Sequence, residues 1–240
     1  MKLHIYKSET ETIAALAEFF STTVNEAIAK KGKCSVVLSG GNSPKQLYEL
    51  LASEYKQKID WTKVYFFFGD ERAVPFTDKD NNGAMAKRAL FDPLEIKDSN
   101  IFYINTDLEP AIAALDYAGR IKVFFGEVPA SFDLILLGLG DNAHTASLFP
   151  YTTVLTETEA TISAVYLEAA NTYRITMTAP LINNATAIAF LVFGVSKAAA
   201  VSHVLKDKKN TSLYPAQLIE TVNGSINWFL DEAAASLIKE

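Results

Sequence analysis

Asp133-Leu-Ile-Leu-Leu-Gly-Leu-Gly-Asp-Asn-Ala-His-Thr-Ala-Ser-Leu-Phe-Pro150 is the stretch that decides the fold. Its first half, Leu134 to Leu137 with Phe132 just ahead, is an apolar run almost free of polar residues. Such a run suits a central parallel strand covered on both faces. It breaks at Gly138 and Gly140, and Asp141, Asn142, His144 and Thr145 follow at once. In open α/β sheets, ligands bind beyond the carboxyl ends of the strands. A histidine a few residues past a buried strand therefore stands where chemistry is done. A loop histidine that only hydrogen-bonds locally gives the same sequence, so both readings stand at this point.

The pattern recurs along the chain. Cys34 to Leu38 reads as a strand, followed by Ser39-Gly40-Gly41-Asn42-Ser43-Pro44 and a helix over 45–55. Ser43 suits the cap and Pro44 the first turn, and the free N–H groups of a helix start make an anion site. The glycine spacing matches neither a dinucleotide fingerprint nor a nucleoside-triphosphate loop, and a plain tight turn explains it equally well. Residues 61–68 read as a strand ending at Gly69-Asp70-Glu71-Arg72, charges that line a site or neutralise one another in a surface turn. Ala187 to Phe193 is a third apolar strand, ending at Gly194, with Ser196 and Lys197 opening a helix over 198–205. A lysine at a helix start is unfavourable for the dipole unless an anion sits there. The polar clusters after these strand ends, with that at Asp141 to His144, describe one crevice.

Elsewhere the spacing predicts a strand at 3–6 and a helix capped by Ser8 and closed by Gly32. Helices follow at 83–91 and 109–125, strands at 101–104, 160–167 and 174–177, a helical turn at 180–184, and a last helix at 231–239. Strands and helices alternate almost throughout. That predicts an α/β fold of three layers, a mostly parallel central sheet with helices on both faces, in a single domain over 1–240.

Composition sets bounds. The 240 residues carry a net charge of −6, with a pI near 5.2, which argues against general affinity for nucleic acid or anionic membrane. An anionic small substrate would need local cations. The lone cysteine, Cys34, excludes an intramolecular disulfide and a cysteine-based zinc site, and reads as a buried structural thiol. No apolar run approaches the ~20 residues of a membrane helix. The polar start is no signal peptide, so a soluble, cytoplasmic protein is expected. The absence of a Gly-x-Ser-x-Gly elbow excludes the serine-hydrolase reading.

Several stretches resemble the 6-phosphogluconolactonase family, within the wider superfamily that includes glucosamine-6-phosphate deaminase. They are Leu38 to Pro44, Phe68 to Pro75, Gly138 to Pro150, Tyr173 to Thr178, Gly194 to Ala198 and Asn227 to Ala234, in the family's order. The His144-Thr-Ala-Ser-Leu-Phe-Pro150 segment is the most specific; the glycine loop, shared with the deaminases, is the least. The resemblance implies a Rossmann-like fold and hydrolysis of 6-phospho-D-glucono-1,5-lactone to 6-phospho-D-gluconate, a pentose-phosphate step. It implies no cofactor or metal, and a sugar-phosphate lactone as the partner of a monomer or weak homodimer. It assigns substrate and phosphate contact to Ser39, Gly40, Gly41, Asn42, Arg72, Arg174 and Lys197. It makes His144 the general base, with Asn142 and Asp70 beside it in the catalytic set.

The chain departs from the family in one place. Relatives usually carry Asp-Gly-His where this chain has Asn142-Ala143-His144. An amide orients an imidazole but stabilises its cation less than a carboxylate does, and Ala143 needs a backbone geometry that tolerates Cβ. A non-catalytic sugar-phosphate binder is one alternative this raises. A deaminase or isomerase is the other, but the acid that follows the histidine by five residues in those enzymes is Phe149 here.

Overall fold

The structure, a computed structural model, describes residues 1–238. Its centre is a six-stranded sheet in the order β1-β9-β8-β5-β2-β3, parallel at every pairing. The strands are β1 (Lys2–Tyr6), β2 (Cys34–Leu38), β3 (Val64–Phe68), β5 (Leu134–Leu137), β8 (Ala187–Val192) and β9 (Ser225–Asp231). Every residue of β2, β5 and β8 is buried. Both faces of these central strands are therefore covered, as their unbroken apolar runs required.

Helices flank this sheet. The first, α1 (Glu9–Lys31), begins where Ser8 Oγ accepts the Glu11 N–H and ends at Gly32, whose φ of 77° lets its N–H reach the Ile28 carbonyl. Ile13, Leu16, Ala17, Phe20 and Val24 form its buried stripe. Each large aliphatic or aromatic side chain so buried is worth ~1.5–3 kcal/mol. The next are α2 (Asn42–Glu54) and α3 (Asn82–Ala86), the latter running on through a wider turn at Lys87–Phe91 into the short α4 (Asp92–Leu94). Then come α5 (Pro110–Phe125), α6 (Ala179–Asn183) and α7 (Ala198–Leu205).

Four expectations are corrected. First, residues 160–167 and 174–177 are strands, but not of the central sheet. β6 (Ile162–Leu167) and β7 (Thr172–Met177) form an antiparallel hairpin turned at Asn171, whose φ is 46°. Second, Asp70–Arg72 is no surface turn: it is β4, the third strand of that small sheet, pairing antiparallel with β7. Third, Ile101 makes only a single bridge to Phe66. Fourth, Ser225–Asp231 is strand β9 and the chain then turns through Ile238 without a helix; Lys239 lies outside the described residues.

Candidate active site

The chain winds outward from β2 towards β3 on one side and from β5 towards β8 on the other. The gap between β2 and β5 is the point at which a doubly wound sheet opens a crevice at its carboxyl edge. A cavity of about 320 Å³ lies there. Ser39, Gly40, Gly41 and Asn42 come to it from the end of β2, and Asp70 and Arg72 from β4. His144 enters from the loop after β5, Arg174 from β7 and Lys197 from the end of the β8 loop. The four polar clusters do meet. Asn142 does not border the cavity; it stands behind His144.

The β2 loop is held by Tyr48, a buried residue of α2, whose hydroxyl accepts the Ser39 N–H at 3.0 Å and donates to the Ser39 carbonyl at 2.8 Å. α2 begins one turn earlier than expected. Its N-cap is Gly41, at a φ of 104°, and Ser43 does not cap it. No side chain satisfies the first N–H groups of α2, and Gly41, Asn42 and Ser43 border the cavity. That is the condition for anion binding at a helix start.

Opposite that loop, Arg72 and Arg174 are paired residues of the β4–β7 ladder. Arg72 Nη1 donates to the Asp80 carbonyl at 2.6 Å, and Arg174 reaches only its neighbour Tyr173's carbonyl, at 3.4 Å. Among the described residues neither makes an ion pair within 4.0 Å. Burial, and then the Arg72 charge, hold the Arg174 pKa below its ordinary value. Two like charges facing one another across a ladder are destabilising by themselves. Lys197 adds a third cation, its Nζ 2.5 Å from the exposed carboxylate of Asp141.

Two acids lie beneath these cations. Asp70 is buried, which raises its pKa, and its Oδ2 accepts a 2.7 Å bond from Ser147 Oγ. Glu71, also buried, accepts the backbone N–H groups of Arg72, Asn82 and Gly83. Burial pushes its pKa up to about 7 despite those bonds. Glu71 therefore ties β4 to the start of α3 and does not neutralise Arg72 in a turn.

His144 is set by its neighbours. Its ring stacks on Phe149, centroids 3.9 Å apart, and lies against Gly140, where a Cβ would come within 2.0 Å of the imidazole. Its Nδ1 is 2.5 Å from Asn142 Oδ1. A carboxamide oxygen only accepts, so this contact assigns the proton to Nδ1 and leaves the Nε2 lone pair free. Burial first, and then the Lys197 charge, push the His144 pKa down to about 4, which keeps the imidazole neutral at pH 7. Ala143 takes a φ of 59°, the left-handed geometry that glycine adopts freely and that costs a Cβ-bearing residue roughly 1–2 kcal/mol.

Two polar side chains not expected from the sequence, Asn82 and Ser147, also border the cavity, as does Phe149. Asn82 Nδ2 donates to the Asp70 carbonyl at 3.0 Å, and its amide packs so closely on Gly40 that a Cβ there would sit 1.8 Å from Oδ1. Asn82 Oδ1 and Ser39 Oγ are buried without a hydrogen-bond partner among the described residues. The sequence signal for Asn82 was its place one residue after Asn81, the cap whose Oδ1 accepts the Ala84 N–H.

Residues 7–228 match the family model described as glucosamine-6-phosphate isomerases/6-phosphogluconolactonase. A 6-phosphogluconolactonase of Nostoc sp. is 36% identical over 238 residues, covering 98% of this chain and 97% of that protein. One of Synechocystis sp. is 40% identical over 224 residues, covering 91% of this chain and 90% of that protein. The crystal structure of a devB protein superposes with a TM-score of 0.90 at 30% identity, covering 99% of each chain. On the match of sequence along nearly its whole length, and of fold, the chain belongs to the glucosamine-6-phosphate isomerase/6-phosphogluconolactonase family.

Proposed function

We propose that this protein hydrolyses 6-phosphogluconolactone to 6-phosphogluconate, with His144 as the general base. The observation that carries the reading is one neutral imidazole with a free Nε2, in a cavity whose other walls carry Arg72, Arg174, Lys197 and a free helix start. The phosphate of the substrate occupies the cationic side, on Arg174, Lys197 and the N–H groups of the Ser39-Gly40-Gly41-Asn42 loop. Arg72 steadies the same dianion, and each such charge-assisted contact is worth ~1.5–3 kcal/mol. The lactone carbonyl then lies towards His144.

Nε2 takes a proton from water as the water oxygen bonds to the carbonyl carbon. The tetrahedral intermediate expels the ring oxygen, the carbon–oxygen ring bond breaks, and the imidazolium returns its proton to that oxygen. The new carboxylic acid ionises to water. Asn142 orients the ring through Nδ1–H throughout, and Asp70, fixed by Ser147, balances the nearby guanidinium charge. Phe149 stacks on the imidazole where a deaminase would need an acid for ring opening, which disfavours that alternative.

One catalytic domain over 1–240, acting in the cytoplasm, belongs to the same proposal. Among the described residues no helix is long and apolar enough to cross a membrane. The test is an assay on freshly formed lactone, read against its spontaneous hydrolysis. Catalysed ring opening is expected. A purified protein that binds 6-phosphogluconate without accelerating hydrolysis would make it a binder instead.

A further inference from the structure

The cations that border the cavity are held differently. Arg72 and Arg174 sit on the β4–β7 ladder, with no acid within 4.0 Å among the described residues. Lys197 does have an acid, its Nζ lying 2.5 Å from Asp141 Oδ1. The two partners are unequal. Lys197 borders the cavity and its side chain is 27% exposed, whereas Asp141 does not border it and is 75% exposed. β5 and β8 are neighbours in the sheet, so this pair links the loop that carries His144 to the loop that carries Lys197. Lys197 also stands at the start of α7, with no side-chain cap there. A helix start disfavours a cation, so an anion beside this lysine has more to offset than one beside a lysine elsewhere.

We infer that Asp141 is the resident counter-ion of Lys197, holding its ammonium at the rim of the empty site and yielding it to the substrate's phosphate. The inference rests on the phosphate position proposed above and adds to it a residue that competes with the ligand. Asp141 itself touches no substrate; it is a positioning residue that acts through Lys197. The exchange is easy in both directions. An exposed ion pair contributes little net energy, and a phosphate dianion seated between two guanidinium groups outcompetes a single hydrated carboxylate. A lysine ammonium rides on a flexible four-carbon stem, so it changes partner without moving the backbone. Arg72, by contrast, is already tied to the Asp80 carbonyl. When Lys197 turns to the phosphate, Asp141 is left in water, where its charge is solvated at no cost to the core. When the product leaves, the carboxylate takes the ammonium back. Anion affinity is therefore lower than the cations of the cavity would give without Asp141.

The test is titration calorimetry of the full chain with 6-phosphogluconate, and with inorganic phosphate as a second probe. It compares the wild type, Asp141→Asn, Lys197→Met and the double variant. Asp141 is exposed, so Asp141→Asn should keep the wild-type melting temperature. That variant should bind both probes about two- to fivefold more tightly, the range expected when an exposed ion pair no longer competes. In the Lys197→Met background the same substitution should leave both affinities unchanged, because the cycle isolates the coupling between the two positions. KM for the lactone should fall with the product's dissociation constant while kcat does not rise, a split that a purely structural role for Asp141 would not give. A wild type that binds neither probe would overturn the phosphate reading and this inference with it. With wild-type binding intact, an unchanged affinity in Asp141→Asn would overturn the counter-ion role alone. So would a gain of the same size with and without Lys197, which would make Asp141 a source of general repulsion.

Discussion

Arg72 and Arg174 stand opposite each other in the β4–β7 ladder, both bordering the cavity, and neither is ion-paired among the described residues. The carboxylate of Asp70, which attracts both guanidinium groups, offsets part of this cross-strand repulsion, and the proposed phosphate contact would relieve more of it. Arg174→Ala should weaken 6-phosphogluconate binding about tenfold or more by titration calorimetry, since a charge-assisted bond is worth ~1.5–3 kcal/mol. The same variant should be no less stable than the wild type, because it removes a like-charge neighbour. Unchanged product affinity would remove Arg174 from the phosphate site.

The His144 pKa, held near 4 by burial and by Lys197, predicts a definite pH dependence. The ordinary imidazole value is about 6.5. Between these values the unfolded chain binds a proton that the folded protein does not, so stability falls as pH drops from about 6.5 to about 4. His144→Gln should flatten that part of the acid unfolding curve. Lys197→Met should move the ring's NMR titration midpoint upward in the free protein. A midpoint indifferent to Lys197 would mean the cation is too well screened by Asp141 to act on the ring.

Asn142 faces Nδ1 of His144 with a neutral carboxamide oxygen. Asn142→Asp places a charge about 2.5 Å from the ring, which must raise the His144 pKa. The variant should also raise kcat, because a carboxylate stabilises the imidazolium that forms as water attacks. A lower kcat would mean the site is tuned to the amide. The strained Ala143 beside it predicts that Ala143→Gly stabilises the fold by up to about 1 kcal/mol, read as a higher melting temperature.

Gly140 is required by contact and not by backbone angle, since its Cβ would strike the imidazole at 2.0 Å. Gly140→Ala should therefore displace the ring, cutting kcat at least tenfold for a misplaced base and leaving product affinity near the wild-type value. Loss of binding with kcat retained would place the glycine's role in the phosphate pocket.

The central sheet and the crevice were legible because β2, β5 and β8 are apolar on both faces and each ends in a glycine or serine followed by polar residues. His144, Lys197 and the β2 loop were readable for that reason. The small sheet was not, because a half-buried antiparallel strand has no such run, and β4 is only Asp70-Glu71-Arg72. Its one local sign was Asn171, an αL-tolerant turn residue between two β-rich segments. The last segment failed through tertiary override. Asp231-Glu-Ala-Ala-Ala has high helix propensity, yet Asp231 accepts the N–H groups of Gly194 and Ala234, and Glu232 N–H is taken by the Tyr6 carbonyl. Those bonds hold the chain in β9 and brace the loop that carries Lys197.

The most direct measurement of the central claim is single-turnover hydrolysis of freshly formed 6-phosphogluconolactone by His144→Ala, beside calorimetric binding of 6-phosphogluconate to the same variant. A positioned base contributes 10²–10⁴-fold, so the rate should fall by about that factor while product affinity stays within a few-fold of the wild type, its proposed anion contacts lying on Arg174, Lys197 and the β2 loop. A variant that hydrolyses the lactone at nearly the wild-type rate, well above the spontaneous background, would contradict the assignment of His144 as the base.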